Sequence, residues 1–477
     1  MMPKRTQSTT QTAKSTAVSG LLPQTHVQPL AERAAIGRAL RERCSRKALA
    51  EWERPAKRAD PIDLLIENSR GRLEDLIPIR YGRMLASPFA FFRGAAAIMA
   101  YDLSHTPATG LNLQACGDCH LLNFGGFATA ERKLIFDIND FDETSIAPWE
   151  WDVKRLAASF VVAGRANGFV AGECREAARL AAQSYREHTR QYAQMPVLQA
   201  WYEAIDLVWV FENTLPQMRR FYQKKLKAAT EQSAHEKEFA KLAHAAGYPA
   251  RIIDQPPLIF HMGDIRDEQF RANVELSLAR YRQTLPPDRR LLLDRYKLAD
   301  VAMKVVGVGS VGTFCAIVLL MSGNSEPLFL QVKEARQSVL EPYAGTSSFT
   351  HPGERVVTGQ RLMQAAGDMF LGWTTGESGD GRSFYVRQLA DAKIKPVVEI
   401  MQPLNLRNYA GLCGWALARA HARSSDAVVL SAYMGKSTVF EEAVADFSVA
   451  YADQNERDHA ALVAAVRDGR VEARQVE

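Results

Sequence analysis

Six cysteines scattered over 477 residues are too few for a disulfide framework, so folding rests on apolar burial and a reducing cytoplasm is the expected setting. A chain of this length builds two or three compact units and needs no metal staple. Charge of one sign is also scarce. The 59 Lys and Arg against 54 Asp and Glu leave a net +5, too mild and diffuse to predict nucleic-acid binding. The amino terminus lacks the apolar centre of a secretory signal. Up to about Gln28 it is rich in Ser, Thr and Gln with Lys4, Arg5 and Lys14, and residues 1–60 are expected to form a disordered, basic segment. Long uncharged runs are missing, with one exception. Val305–Ser325 has the length to span a bilayer. Gly307, Gly309, Ser310, Gly312 and Thr313 break its first half, however, and Phe314–Leu320 is strand-like, which predicts a buried hairpin and no membrane association.

Periodicity changes several times along the chain. Ser87 and Pro88 have the chemistry of a helix cap and first turn, and open an apolar helix to Leu103 that contains Arg93. A lone arginine in that run needs a partner, either a buried acid or a phosphate or substrate. Leu111–Ala115 and Lys133–Ile138 read as short strands, and Trp149 opens a long helical stretch to about Ala193. Helical patterns continue to about Arg295, with a solvated charged face over Lys224–Lys241. Strand character runs from Val301 to about Leu340 and returns at Ser383–Leu389, with helix from Glu354 and over Tyr409–Arg423. This order predicts an α+β protein with two lobes.

The chemistry concentrates in three places. Cys116-Gly117-Asp118-Cys119-His120-Leu121-Leu122-Asn123 leaves the first strand, and Asp137-Ile138-Asn139-Asp140-Phe141-Asp142 leaves the second. Phosphoryl transfer needs an acceptor hydroxyl held in line, with metal ions and cations to offset charge on the phosphate oxygens. Asp118 can accept the hydroxyl proton. Asn123 and Asp140 offer Mg²⁺ the oxygen ligands it prefers, with Asp137 and Asp142 as rivals to Asp140. An ordinary acidic turn is the alternative for that cluster. Far downstream, Gly307-Val308-Gly309-Ser310-Val311-Gly312 is followed by a strand rather than by the helix of a dinucleotide fold. Lys333 closes the apolar run Leu328–Val332, a costly position unless anions meet it. Cys116 to His120 also satisfies the C-x-x-C-H haem string, but neither an export signal nor a second zinc-ligand pair accompanies it.

These residues carry a resemblance. Ser87-Pro88-Phe89, Cys116–Gly125, Phe136–Glu143, Trp149–Leu156, Leu328–Ala335, Gly359–Gln364 and Tyr451-Ala452-Asp453-Gln454 are similar to an uncharacterised bacterial family, domain of unknown function 2252, which is grouped with the protein-kinase-like fold. The catalytic loop resembles that of aminoglycoside- and choline-kinase-like enzymes. By that likeness Asp118 is the base and Asn123 and Asp140 bind Mg²⁺. Gly307, Gly309, Gly312 and Lys333 hold ATP, the Arg387–Leu389 hinge with Gln388 and Leu389 meets adenine, and Glu354, with Glu341 as rival, pairs with Lys333. Asp152 resembles the aspartate that braces the catalytic loop, and Cys116 stands where those relatives carry histidine.

Kinases carry the glycine loop before the catalytic loop, and here the order is reversed. The resemblance therefore implies a circularly permuted, two-lobed kinase-like fold with a helical insertion. Residues 61–175 would be the catalytic and metal-binding half of the large lobe, 176–295 a helical cap over the acceptor, 296–392 the small lobe, and 393–477 the helices that complete the large lobe. The permutation requires Tyr409–Arg423 to pack beside the 111–123 strand and loop. The implied activity is an ATP- and Mg²⁺-dependent phosphotransferase with a small-molecule acceptor. A nucleotide-binding pseudokinase or an AMP transferase is the alternative, and the acceptor and oligomeric state are not legible.

Overall fold

The computed structural model describes residues 27–213, 239, 242–244, 250–305, 307–377, 381–389 and 393–475. Residues 1–26 of the expected basic tail, and nearly all of the charged 224–241 face, lie outside the described residues. Within the segment expected to be disordered, Leu30–Arg43 forms a helix, α1. It has no strong apolar stripe to announce it. Arg33 is instead bonded to Asp426 at 2.7 Å, and Arg41 donates to the Tyr433 carbonyl at 2.8 Å.

The next helices are α2 (Pro61–Ser69), α3 (Ile77–Leu85), α4 (Pro88–Gly94) and α5 (Ala96–Leu103). Ser87 Oγ accepts from the Ala90 amide at 3.0 Å, so α4 starts as its sequence predicts. The expected single helix breaks at Ala95, which leaves helical geometry. The long stretch after Trp149 likewise divides into α6 (Trp149–Ala166) and α7 (Ala171–Gln194). Gly168, at φ +76°, makes that turn.

Four strands carry the loops between α5 and α6. Strands β1 (Asn112–Ala115) and β4 (Ser145–Pro148) pair antiparallel, and β2 (Phe124–Ala128) pairs with β3 (Leu134–Ile138), which takes the two-residue β5 (Ile205–Asp206) on its other edge. A larger antiparallel sheet follows. Its strands are β6 (Ile259–Phe260), β7 (Tyr296–Lys304), β8 (Cys315–Ser322), β9 (Pro327–Glu334), β10 (Gly372–Thr375) and β11 (Ser383–Gln388), in the spatial order β10-β11-β9-β8-β7-β6. The glycine segment links β7 to β8, Lys333 ends β9, and helix α8 (Pro352–Met363) lies between β9 and β10 in the chain. Strand β8 is buried along most of its length and is apolar on both faces, which explains a run that otherwise imitates a membrane span. Among the described residues, no helix is long and apolar enough to cross a membrane.

The chain closes with α9 (Pro403–Ser424), α10 (Ala427–Met434) and a last, longer helix, α11 (Val439–Arg467). Helix α9 packs on α7 and reaches β1 and β3, although some 300 residues of sequence separate it from them. Ser424 Oγ donates to the Gln114 carbonyl at 3.3 Å, and the Tyr409 hydroxyl reaches the carbonyls of Leu121 at 2.7 Å and Phe124 at 3.3 Å. Tyr409 is thus the buried donor that ties α9 to the loop after β1. Tyr409→Phe is expected to destabilise the fold by about 1–3 kcal/mol, because two buried carbonyls lose their donor. Urea unfolding measures this, and an unchanged midpoint would contradict it.

Candidate active site

The loop after β1 is shaped by one carboxylate. Asp152, in the first turn of α6 and 1% exposed, accepts from the Cys116 amide at 2.7 Å and the Gly117 amide at 3.0 Å. His421 Nε2 lies 3.1 Å from the same carboxylate, and its Nδ1 is bonded to the Tyr185 hydroxyl at 2.8 Å. Gly117 has φ +88°, and a Cβ there would sit 2.3 Å from the Glu143 carbonyl, so only glycine permits this turn. The next residue, Asp118, faces a cleft.

Arg155, three residues after Asp152 on the same helix face, donates to Asp118 through Nε at 2.7 Å and through a second nitrogen. It also donates to the Phe92 carbonyl at 3.0 Å. Asn123 Nδ2 donates to the Asp118 carbonyl at 2.7 Å, which leaves Asn123 Oδ1 as an acceptor suited to a cation.

The acids after β3 separate by environment. Asp137 is fully buried, bonded to Arg419 at 2.9 Å and to the Ala365 amide at 2.8 Å, so it is a structural ion pair. Phe141 turns into the core, while Asp140 and Asp142 line the cleft. Lys333 Nζ lies 2.5 Å from Asp142 and 3.8 Å from Asp140, and Tyr385 donates its hydroxyl to Asp142 at 2.5 Å. Burial alone would push the Asp140 carboxyl up, but Lys333 and Arg387 outweigh it and hold the group below the usual carboxylate range. Burial likewise opposes the charge on Lys333, and Asp140 and Asp142 more than offset it. Burial and the neighbouring Asp140 push the Asp142 carboxyl up, against the pull of Lys333 and Tyr385.

Asp118, Asn123, Asp140, Asp142, Gly307 and Gly309 all line one cleft of about 650 Å³. The glycine segment is held from outside. Arg83 donates to the Gly307 carbonyl at 2.6 Å, Arg72 to Gly309 at 2.8 Å and Val311 at 2.7 Å, and the Leu73 amide to Gly312 at 2.7 Å. Residues of α2, α4 and α5 line one side of the cleft, and among the described residues none of 176–295 lines it.

Three other expectations are corrected. Lys333 pairs with neither Glu354 nor Glu341. Glu341 lies 3.8 Å from Arg355, and it is Arg355, on the buried face of α8, that reaches the Asp142 carbonyl at 2.9 Å. Gln388 and Arg387 line a different cavity, of about 560 Å³, and Arg387 donates to the Asn139 carbonyl at 3.1 Å. Leu389 packs with Ile317, Leu319 and Phe329 in the core of the large sheet.

Cys116, Cys119 and Asp152 lie within metal-ligating distance of one another and are all buried. Both oxygens of Asp152 are already occupied, and burial pushes the Cys119 thiol up to about 11, so the donor set suits no metal and the thiols act as small apolar residues. Arg155, Tyr385 and Arg355 were not legible in the sequence as site residues. Only the spacing of Arg155 from Asp152 hinted at its place.

His120 gives this site a pH signature. Its Nδ1 accepts from the Leu122 amide at 3.2 Å, and burial pushes its pKa down to about 4, with Asp118 pulling the other way. The unfolded histidine titrates near 6.5, so as pH falls from about 6.5 to 4 the unfolded chain takes up the proton first and stability falls, by roughly 3 kcal/mol. Above that window the group contributes no pH dependence. His120→Gln is expected to flatten urea stability between these limits, and a slope equal to that of the parent would contradict the assignment.

The family model described as "Uncharacterized protein conserved in bacteria (DUF2252)" matches residues 72–465. No curated protein and no solved structure matches the chain. The matched region takes in β1 to β4, the whole large sheet and most of the last helix, with Asp118, Asp140 and Lys333 inside it, and the chain belongs to this DUF2252 family.

Proposed function

We propose that the protein is an ATP- and Mg²⁺-dependent phosphotransferase with a circularly permuted kinase-like fold, acting on a small hydroxylated acceptor. One observation carries the reading. Asp118, Asn123, Asp140 and the glycine segment border a single cleft, with Lys333 bonded to its acidic wall, although they come from distant parts of the chain. The connectivity agrees. A glycine loop between the first two long strands and a lysine on the third is the arrangement by which kinases cover and grip the nucleotide phosphates. The contact of α9 with β1 supports the permutation, which needs Tyr409–Arg423 beside the 111–123 strand and loop.

Asn123 Oδ1 and the carboxylates of Asp140 and Asp142 are the oxygen donors that would hold Mg²⁺. The ion, when bound, neutralises charge on the phosphate oxygens. Lys333 adds a fixed cation, with Arg355 and Tyr385 orienting the carboxylate it leans on. Asp118 receives the proton of the acceptor hydroxyl. That oxygen bonds to the γ-phosphorus, the bond from γ-phosphorus to its bridging oxygen breaks, and ADP leaves. Arg155 fixes the direction from which Asp118 acts.

Asp118→Asn should keep ATP-Mg²⁺ binding while lowering transfer about 10²–10⁴-fold, since it deletes the base and not a donor contact. Asp140→Ala should abolish the Mg²⁺ dependence of binding, and Lys333→Ala should weaken binding about tenfold or more. Calorimetry with ATP-Mg²⁺ reads all three, and α- and γ-labelled ATP separate AMP from phosphoryl transfer. Parent-like binding by all three variants would move the site elsewhere.

A further inference from the structure

Most charges in the cleft are answered within the protein. Asp118 has Arg155, Asp142 has Lys333, and Glu334 accepts from the Phe314 amide at 2.8 Å and Arg382 at 3.2 Å. Arg72 is spent on backbone carbonyls. Arg93 is different. It lines the cleft from the last turn of α4, its Nε is buried without a hydrogen-bond partner, and among the described residues no acid forms an ion pair with it. A guanidinium held this way costs free energy until an anion meets it.

The place of Arg93 is fixed on both sides. Its carbonyl lies 3.1 Å from the position a Cβ would take on Gly309, so this turn of α4 abuts the glycine segment. The carbonyl of the preceding Phe92 is bonded to Arg155, the partner of Asp118. Burial holds the Arg93 guanidinium below its usual range, with Asp118 and Glu399 pulling the other way. Arg93 and Asp118 line the same cleft, and Arg155 bonds both Asp118 and the residue before Arg93, which puts this turn of α4 on the side of the base.

On the phosphotransferase reading above, we propose that the acceptor carries an anionic group, a carboxylate or a phosphate ester, and that Arg93 holds it beside Asp118. The guanidinium fork matches either group with two parallel hydrogen bonds. It also disfavours the cationic acceptors typical of the aminoglycoside- and choline-kinase-like enzymes whose loop this one resembles, because Arg93 and Arg155 would repel them.

The test is calorimetric binding of D-glycerate and glycerol phosphate, against choline and kanamycin, to the parent, Arg93→Ala and Arg93→Lys proteins. Each titration is run without nucleotide and again with Mg²⁺ and the non-hydrolysable analogue AMP-PNP. An anionic probe is expected to bind the parent, to bind Arg93→Ala about tenfold more weakly, and to recover in part in Arg93→Lys. AMP-PNP affinity should stay within about twofold across the three proteins. Binding of the cationic probes alone, or anionic binding indifferent to Arg93→Ala, overturns the proposal. Loss of AMP-PNP affinity with probe binding unchanged also overturns it, and assigns Arg93 to the donor phosphates. Failure of AMP-PNP to bind the parent counts against the phosphotransferase reading alone, and the nucleotide-free titrations then decide the anion site.

Discussion

A single buried carboxylate joins the parts of this protein that its sequence keeps apart. Asp152 takes the amides of Cys116 and Gly117 on one side and the imidazole of His421 on the other, with Tyr185 bonded behind that ring. Four segments thus meet at one group: the loop after β1, α6, α7 and α9. A carboxylate this deep is tolerated only when its acceptor capacity is filled. Each donor is consequently needed by the others, and the loop that presents Asp118 is set only when the last third of the chain has folded onto the first. The connection also bears on Cys116, which stands where the loops that this one resembles carry histidine. Here the bracing comes from Asp152 and from a histidine supplied by a distant helix.

Much of the site was legible because its residue types have few other uses. An aspartate on a loop leaving a strand, an asparagine five residues on, and a lysine ending an apolar strand are the types that phosphate chemistry would use, and the fold brings them to one cleft or its wall. The strands and the separation of sheet from helical segments followed from periodicity. What failed depended on geometry that periodicity does not hold. Glu354 is a carboxylate on the helix that follows β9, but α8 turns Arg355 inward toward the Asp142 loop. Gln388 and Leu389 lie one residue apart on a strand end, and the pleat sends one into a second cavity and the other into the sheet core. Helix α1 carries little apolar signal because arginine contacts to α10 and its flanking residues hold it.

The helices that precede β1 have a role no motif announced. Arg72 and Arg83 hold the carbonyls of the glycine segment, and α4 lines the cleft beside it. Glycine-rich loops are usually mobile because little holds them. This one is fastened along its outer side, so the protein presents a largely preformed cleft. A site built in advance loses less conformational entropy on binding, and it selects by the charges already in place.

On the proposed phosphotransferase reading, one nucleotide and its metal sit between Asp118 and Lys333. A crystal structure with AMP-PNP and Mn²⁺, the ion located by its anomalous signal, tests it most directly. The account predicts a manganese peak between Asn123 Oδ1 and the Asp140 carboxylate, with the phosphates running toward Gly307, Gly309 and Lys333. A nucleotide lodged instead in the cavity of Arg387, Gln388 and Lys393, with no ion beside Asp140, would contradict it.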